Sequence, residues 1–161
     1  MDVLLMKFDP DIPGTSSLKD YTNQIELLSF SHGVPMEITG DISHSERASG
    51  EPNHQDFVIT KYLDQSSSKL NEACYKGDNF KSAVLVVGRN DKGLVLPLIT
   101  FTLQNVVLSS ISIGGEGGQK PVETVTMNYG HMEWEFHHRK AEGSETGHVN
   151  TKWDLATNRS T

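Results

Sequence analysis

The chain has 161 residues, 35% of them hydrophobic and 22% charged, which is enough for one domain with a buried core and too few for two ordinary ones. Its 14 Lys and Arg stand against 21 Asp and Glu, a formal charge of −7, so no attraction to nucleic acid or to an anionic membrane is expected. A single cysteine, Cys74, excludes an intrachain disulfide framework.

Short apolar runs separated by turn residues predict three strands before residue 63. The N-terminal run is a strand and not a leader, because Asp2 stands where a signal peptide has basic residues and Lys7 interrupts the apolar stretch. Residues 35–55 mix Gly, Pro, Ser, acids and histidines without a period, which predicts a functional or partner-binding loop. The predicted strands are residues 3–8, 24–31 and 57–62.

One helix is predicted after Asp64. Three serines at positions 66–68 offer N-caps, and apolar residues recur at positions 70, 73 and 74 with helical spacing. Gly77 is placed to end the helix in a left-handed conformation. We expect this short helix to lie against the sheet.

The second half of the chain is predicted to be sheet. Asn90 to Gly93 supply a tight hairpin turn between two apolar runs. Residues 94–113 carry no charge, but their single proline, Pro97, and their amides and hydroxyls favour paired strands over a membrane span. The apolar alternation changes phase near Gly130, which predicts a β-bulge of the kind that helps a sheet curl into a barrel. The predicted strands are residues 80–87, 94–103, 106–113, 122–137 and 148–155.

Chemical motifs are weak throughout. The glycines at 114–118 fit no phosphate-loop spacing and precede a predicted strand, so they indicate a connection between strands. Ser31 and His32 are adjacent in a strand and should point to opposite faces, which leaves no nucleophile with a base. We therefore expect no enzyme and no cofactor.

A histidine-rich strand face is the strongest metal candidate. His131, Glu133, Glu135 and His137 alternate along one face, with His138 beside them. The opposite face holds Met132, Trp134 and Phe136, so a solvated or interface strand explains the pattern and no metal site is predicted. A monomeric β-sandwich that binds carbohydrate or protein through the face from His131 to His138 is the alternative function.

Five stretches, in order along the chain, resemble the haemolysin-coregulated protein (Hcp) family of type VI secretion. They include the strand that ends in Ser29, Phe30, Ser31 and His32, where the family usually has an aromatic residue at the last position. A lysine precedes Trp153 where glycine is expected. The stretches are residues 25–33, 56–67, 103–118, 123–130 and 152–155.

The resemblance implies a mainly β fold: a closed or nearly closed β-barrel, similar to a phage tail tube, with one short flanking helix. It implies a single domain over residues 1–161 that assembles as hexameric rings, and rings that stack into a tube. It further implies partners, namely the spike protein, the sheath and small effectors, and secretion from the bacterial cytoplasm without a signal peptide. On that basis Ser29 and Ser31 are candidate effector contacts in the lumen. The candidate contacts between subunits or rings lie in the long loop: Thr39, Gly40, Asp41, His44, Glu46, Arg47, Gly50 and His54.

Overall fold

The structure is a computed structural model that describes residues 2–33, 55–139, 145–155 and 159–160. Those residues form nine strands and one short helix, which confirms the mainly β prediction. The elements are β1 (Asp2–Asp9), β2 (Ile25–Glu26), β3 (Ser29–Ser31), β4 (Phe57–Tyr62), α1 (Ser67–Lys76), β5 (Asn79–Asp91), β6 (Leu94–Gly114), β7 (Val122–Asn128), β8 (His131–Arg139) and β9 (Glu145–Asp154).

All the paired strands belong to one antiparallel sheet with the order β2-β1-β5-β6-β7-β4-β3, and β8 joins it by pairing with β6 and β9. The expectation was a closed or nearly closed barrel. The two ends of this path, β2 and β3, are not paired with each other, so the sheet is not closed into a barrel. The prediction of one strand over residues 24–31 is wrong, because two short strands, β2 and β3, form there. At Leu27 and Leu28 the chain passes from one sheet edge to the other, because the Leu27 N–H donates to the Leu4 carbonyl and the Leu28 N–H to that of Thr60.

Strand β6 replaces the two strands predicted over residues 94–103 and 106–113. It runs continuously through Asn105, whose φ of 55° bends the chain, and the Asn79 side chain donates to the Asn105 amide oxygen at 2.6 Å. The first part of β6 pairs with β5 and β8, and its last part pairs with β7. The predicted hairpin turn before β6 is confirmed.

The phase change near Gly130 is real, but the predicted bulge is not its cause. Strand β7 ends at Asn128 and β8 begins at His131, and the Gly130 N–H donates to the Gln104 carbonyl at 3.0 Å. The two strands then pair with different parts of β6. In the described strands, the pairing register shifts at other places, between Val87 and Gly88, Leu108 and Ser110, and His138 and Arg139.

Helix α1 confirms the predicted span and its end. Gly77 has φ 67°, and its N–H donates to the Cys74 carbonyl at 3.3 Å, which is the left-handed cap that glycine favours. Ser66, one of the three predicted serines, is the N-cap residue, but its side chain makes no capping hydrogen bond. Instead the Asp64 carboxylate accepts the Ser66 N–H at 2.8 Å.

The helix covers a buried ion pair as well as apolar side chains. Leu70 is fully buried against the sheet. Lys61 on β4 and Glu123 on β7 are paired in register, have 0% exposed side chains, and lie 2.7 Å apart from Nζ to Oε2. Ser67 on α1 donates its hydroxyl hydrogen to the same carboxylate oxygen at 2.7 Å, so this cluster joins the helix to both strands.

Candidate functional site

The two candidate serines lie on the exposed face of β3. Ser29 and Ser31 are exposed, while Phe30 between them packs inward, its ring 6.1 Å from Phe57 between centroids. The ring of His32 stacks on Phe57 at 5.6 Å. Strand alternation therefore separates Ser31 from His32, as the sequence predicted.

Strand register extends each serine into a row of small side chains across four strands. Both rows lie on the sheet face opposite the buried Ile59 and Val125. The Ser29 and Thr60 hydroxyls are hydrogen bonded to each other, as is typical of cross-strand hydroxyl pairs. The first row is Ser29, Thr60, Thr124 and Ser112, and the second is Ser31, Val58, Thr126 and Ser110.

We call these eight residues the hydroxyl face. Seven of them carry a hydroxyl, one is a valine, and none is charged. Sequence reasoning missed all but the two serines of β3. The alternation of Thr124 and Thr126 with buried Val125 and Met127 was a usable signal, but only the register brings the four strands together.

Beyond the hydroxyl face, one end of the sheet carries the glycine-rich hairpin between β6 and β7. Val122 begins a strand there, which confirms that the glycines connect strands. Two residues along β4 from Thr60, Tyr62 is paired with Val122. Lys120 Nζ lies 5.5 Å from the centre of the Tyr62 ring. A cation at this distance over an aromatic ring is a favourable contact.

Gly33 and Gln55 lie at the opposite end of β4, and residues 34–54 between them lie outside the described residues. The Gln55 N–H donates to the Gly33 carbonyl at 3.1 Å, and the Tyr129 hydroxyl donates to the Gln55 carbonyl at 3.2 Å. Burial, and then the negative charge of Asp56, raise the pKa of Tyr129 well above its usual value. Tyr129 Oη also lies 3.3 Å from His32 Nδ1. The eight loop candidates, Thr39, Gly40, Asp41, His44, Glu46, Arg47, Gly50 and His54, all lie outside the described residues.

The histidine-rich strand face is engaged in contacts within the sheet. Glu133 Oε2 lies 3.5 Å from Lys152 Nζ, and His137 Nε2 lies 3.4 Å from the Thr100 hydroxyl. Among the residues that the structure describes, no three His, Cys, Asp or Glu side chains are grouped so that they could hold a metal ion.

Sequence reasoning also missed the buried pair of Lys61 and Glu123. Its signal was available, because Lys61 follows Phe57 and Ile59 in the inward phase of β4. Glu123 likewise shares the inward phase of β7 with Val125. Opposite charges in the apolar phases of two strands indicate a buried pair once the strands are known to be neighbours.

The fold and these residues can be compared with known proteins. The sequence model of a family described as "Type VI secretion system effector, Hcp" matches residues 5–136. The chain belongs to the Hcp family. Protein hcp1 of Pseudomonas aeruginosa is 30% identical over 150 residues, which cover 92% of each chain.

Solved structures agree with the family. A type six secretion system protein superposes with a TM-score of 0.91 at 25% identity and 100% coverage of both chains. Hcp1 of Salmonella typhimurium has a TM-score of 0.77 at 21% identity and 99% coverage of both, which supports the fold alone. Hcp proteins are structural, secreted components of the type VI system and are not a known enzyme family. In the described part of the chain, no helix is long and apolar enough to cross a membrane.

The structure accounts for both departures from the Hcp pattern. His32 occupies an aromatic environment, stacked on Phe57 with an interplanar angle of 20° and edge-on to Tyr129 at 5.9 Å between centroids. An imidazole ring can replace an aromatic ring there because it is also flat. Lys152 lies across from Glu133 on β8 and is paired with its carboxylate.

Proposed function

We propose that this Hcp protein is the tube subunit of a type VI secretion system, that six copies form a ring, and that rings stack into a tube. The family match over residues 5–136 is the observation that carries the proposal. Closed rings of identical subunits are a common outcome of head-to-tail contacts.

The hydroxyl face is the proposed lumen wall. An uncharged surface of small hydroxyls can hydrogen bond to a protein cargo without repelling acidic or basic cargo. It also leaves the lumen open, because serine and threonine side chains are short. We place the effector contacts at Ser29 and Ser31 on this face, where both side chains are exposed.

Secretion through the tube's own machinery follows from the proposed role. The partners would be the sheath around the tube, the spike protein at its tip, and small effectors inside the ring. The protein would be made in the bacterial cytoplasm and leave the cell without a signal peptide. Such a protein serves bacterial competition and virulence.

Light scattering on the purified chain tests the assembly. We expect a species with six times the 17.8 kDa mass of the chain. A monomer that persists at high protein concentration would count against the ring and would favour a monomeric binding module.

Ser31→Gln tests the lumen assignment. The longer side chain should reduce effector retention in a pull-down, because it fills space that the hydroxyl leaves open. Ser68→Gln is the matched control, since Ser68 is exposed on α1, away from the hydroxyl face. Retention that is unchanged in Ser31→Gln, or equally reduced in Ser68→Gln, would remove the assignment.

The long loop is the proposed contact with a neighbouring subunit or ring. Deletion of residues within 40–52 should abolish ring or tube formation and leave the monomer folded. The two roots of the loop are already joined by the Gln55 to Gly33 hydrogen bond, so a shorter connection does not strain the sheet. Circular dichroism and light scattering read the two effects separately. Normal assembly of the shortened protein would refute the proposed contact.

A further inference from the structure

The two ends of the hydroxyl face are bordered by opposite charges. Asp56 continues the outward alternation of Val58 and Thr60 beyond one end of the face, and Tyr62 continues it beyond the other. Lys120 Nζ lies 5.5 Å from the centre of the Tyr62 ring. A carboxylate therefore stands at one end of the face and an ammonium group at the other.

The Asp56 carboxylate is held on this face by two neutral donors. The Ser109 hydroxyl donates to Oδ2 at 3.2 Å, and the Asn128 side-chain amide donates to Oδ1 at 3.2 Å. Asn128 follows Thr124 and Thr126 in the outward phase of β7. Among the described residues no cation pairs with Asp56, so its negative charge is available to a ligand.

Tyr62 holds Lys120 at the opposite end. The Tyr62 side chain is 45% exposed, and the ammonium group over its ring makes a favourable cation–π contact. Glu116 belongs to the same hairpin and lines a cleft with Lys120, Ser112 and Thr124. Within the part of the chain that the structure describes, Lys120 and Glu116 form no salt bridge. This end therefore attracts anionic groups, and Glu116 offsets part of that attraction.

The two charges are too far apart to neutralise each other. Asp56 and Tyr62 are six residues apart along an extended strand, a distance of about 20 Å. The Debye length is about 8 Å at physiological salt, so exposed charges at that separation are largely screened from one another. The hydroxyl face between them carries no charged side chain. Each end therefore attracts its own kind of ligand group.

We propose that the hydroxyl face binds protein cargo in one direction, with a basic group of the cargo at Asp56 and an acidic group about 20 Å away at Lys120. The inference rests on the proposed tube function, which makes this face the lumen wall. The symmetry of a ring repeats both charges in every subunit, so all subunits favour the same direction. The reverse direction would place like charges together at both ends, which is unfavourable.

Two peptides of equal composition and zero net charge test this preference. In the bipolar peptide, lysines at one end and glutamates at the other are separated by a Gly-Ser spacer of about 20 Å. In the mixed peptide the same residues alternate along the chain. Because the net charges of the peptides are equal, the formal charge of −7 on each subunit affects both alike. Fluorescence anisotropy with assembled rings at low salt measures the two dissociation constants.

We expect wild-type rings to bind the bipolar peptide about three- to tenfold more tightly than the mixed peptide, which is the effect of a few exposed charge pairs. Lys120→Glu makes both ends acidic and should abolish the difference. Lys81→Glu is the matched control, because it makes the same charge change at an exposed lysine on β5 and should keep the difference. Glu116→Gln should increase the difference, and high salt should remove it.

Crosslinking measures the direction of binding. In a Cys74→Ser background, one protein carries Ser31→Cys, near the Asp56 end, and another carries Ser112→Cys, near the Lys120 end; both serines are exposed. A bipolar peptide with a thiol-reactive group at its lysine end should label Ser31→Cys more than Ser112→Cys. Exchange of the two charges, Asp56→Lys with Lys120→Glu, should reverse that order.

Equal binding of the two peptides by wild-type rings would overturn the inference, as would a loss in Lys81→Glu as large as that in Lys120→Glu. Equal labelling of the two cysteines, or an order that the charge exchange leaves unchanged, would overturn it as well. Lys120→Glu changes an exposed hairpin residue, so its result decides the question even where the charge-exchanged protein fails to assemble. Failure of wild-type rings to form, read by light scattering before the peptides are added, would instead refute the tube function on which the inference rests.

Discussion

The buried contact between Lys61 and Glu123 makes a strong prediction about stability. Lys61 Nζ lies 2.7 Å from Glu123 Oε2 and 3.0 Å from Asp64 Oδ1, and it donates to the Tyr62 carbonyl at 2.9 Å. Both side chains of the Lys61–Glu123 pair are 0% exposed. Removal of the ammonium group leaves the Glu123 carboxylate buried, with the Ser67 hydroxyl as its nearest donor at 2.7 Å.

We therefore expect Lys61→Met to lower the free energy of unfolding by about 3–5 kcal/mol, the usual cost of an unpaired buried charge. That is a large part of the roughly 5–15 kcal/mol that stabilises an ordinary domain. For a chain of this size it corresponds to a melting temperature lower by about 6–20 °C. The double variant Lys61→Met with Glu123→Leu removes both charges and should recover most of the loss, because apolar replacements of a buried pair are often neutral.

Urea unfolding at one fixed protein concentration measures these differences, since assembly adds to apparent stability. Lys76→Met is the matched control. Lys76 pairs with Glu72 on the exposed surface of α1, where both side chains are 60% exposed. The hydrogen bond to Glu72 raises the pKa of Lys76, but solvent screens the pair and no measurable change in stability is expected. Two results would contradict the argument from buried charge. One is a loss of unfolding free energy in Lys61→Met no larger than in Lys76→Met, and the other is a double variant no more stable than Lys61→Met alone.

Two glycines and one tyrosine give further predictions. Gly77→Ala should lower the free energy of unfolding by about 1 kcal/mol, because φ is 67° there although the added Cβ meets no other atom. Gly14→Ala should lower it by about 2–3 kcal/mol, because the added Cβ would collide with the backbone of Gln24 and Ile25. A lower urea midpoint for Gly77→Ala than for Gly14→Ala would contradict this order. The pKa of Tyr129 is raised in the folded chain, so the unfolded chain loses this proton first and stability should fall as pH rises above about 10. Tyr129→Phe should make the alkaline fall shallower, and an identical pH profile in the variant would show that Tyr129 does not contribute to it.

Local patterns predicted the elements whose causes are local. Helix α1 follows from the apolar spacing at Leu70 and Ala73 and from Gly77, because helix periodicity and a left-handed cap depend on neighbours in sequence. The hairpin between β5 and β6 follows from its turn residues in the same way. The inward and outward faces of β3 were also predictable from alternation at Ser29 and Ser31.

Features that depend on distant partners were not predictable from local patterns. The break at Leu27 and Leu28 arises because successive residues bond to different sheet edges. Two strands were predicted, over residues 94–103 and 106–113, yet the backbone continues as one strand through Gln104 because neighbouring strands pair with it on both sides. The hydroxyl face is similar, since its rows exist only once β3, β4, β7 and β6 are aligned.

A negative-stain image of the purified protein tests most directly whether this Hcp chain is a tube subunit. We predict particles with sixfold symmetry and a central hole, and at higher concentration stacks of such rings. Featureless particles of the size of one chain at every concentration would contradict the ring, the lumen assigned to the hydroxyl face, and the stacking contact together.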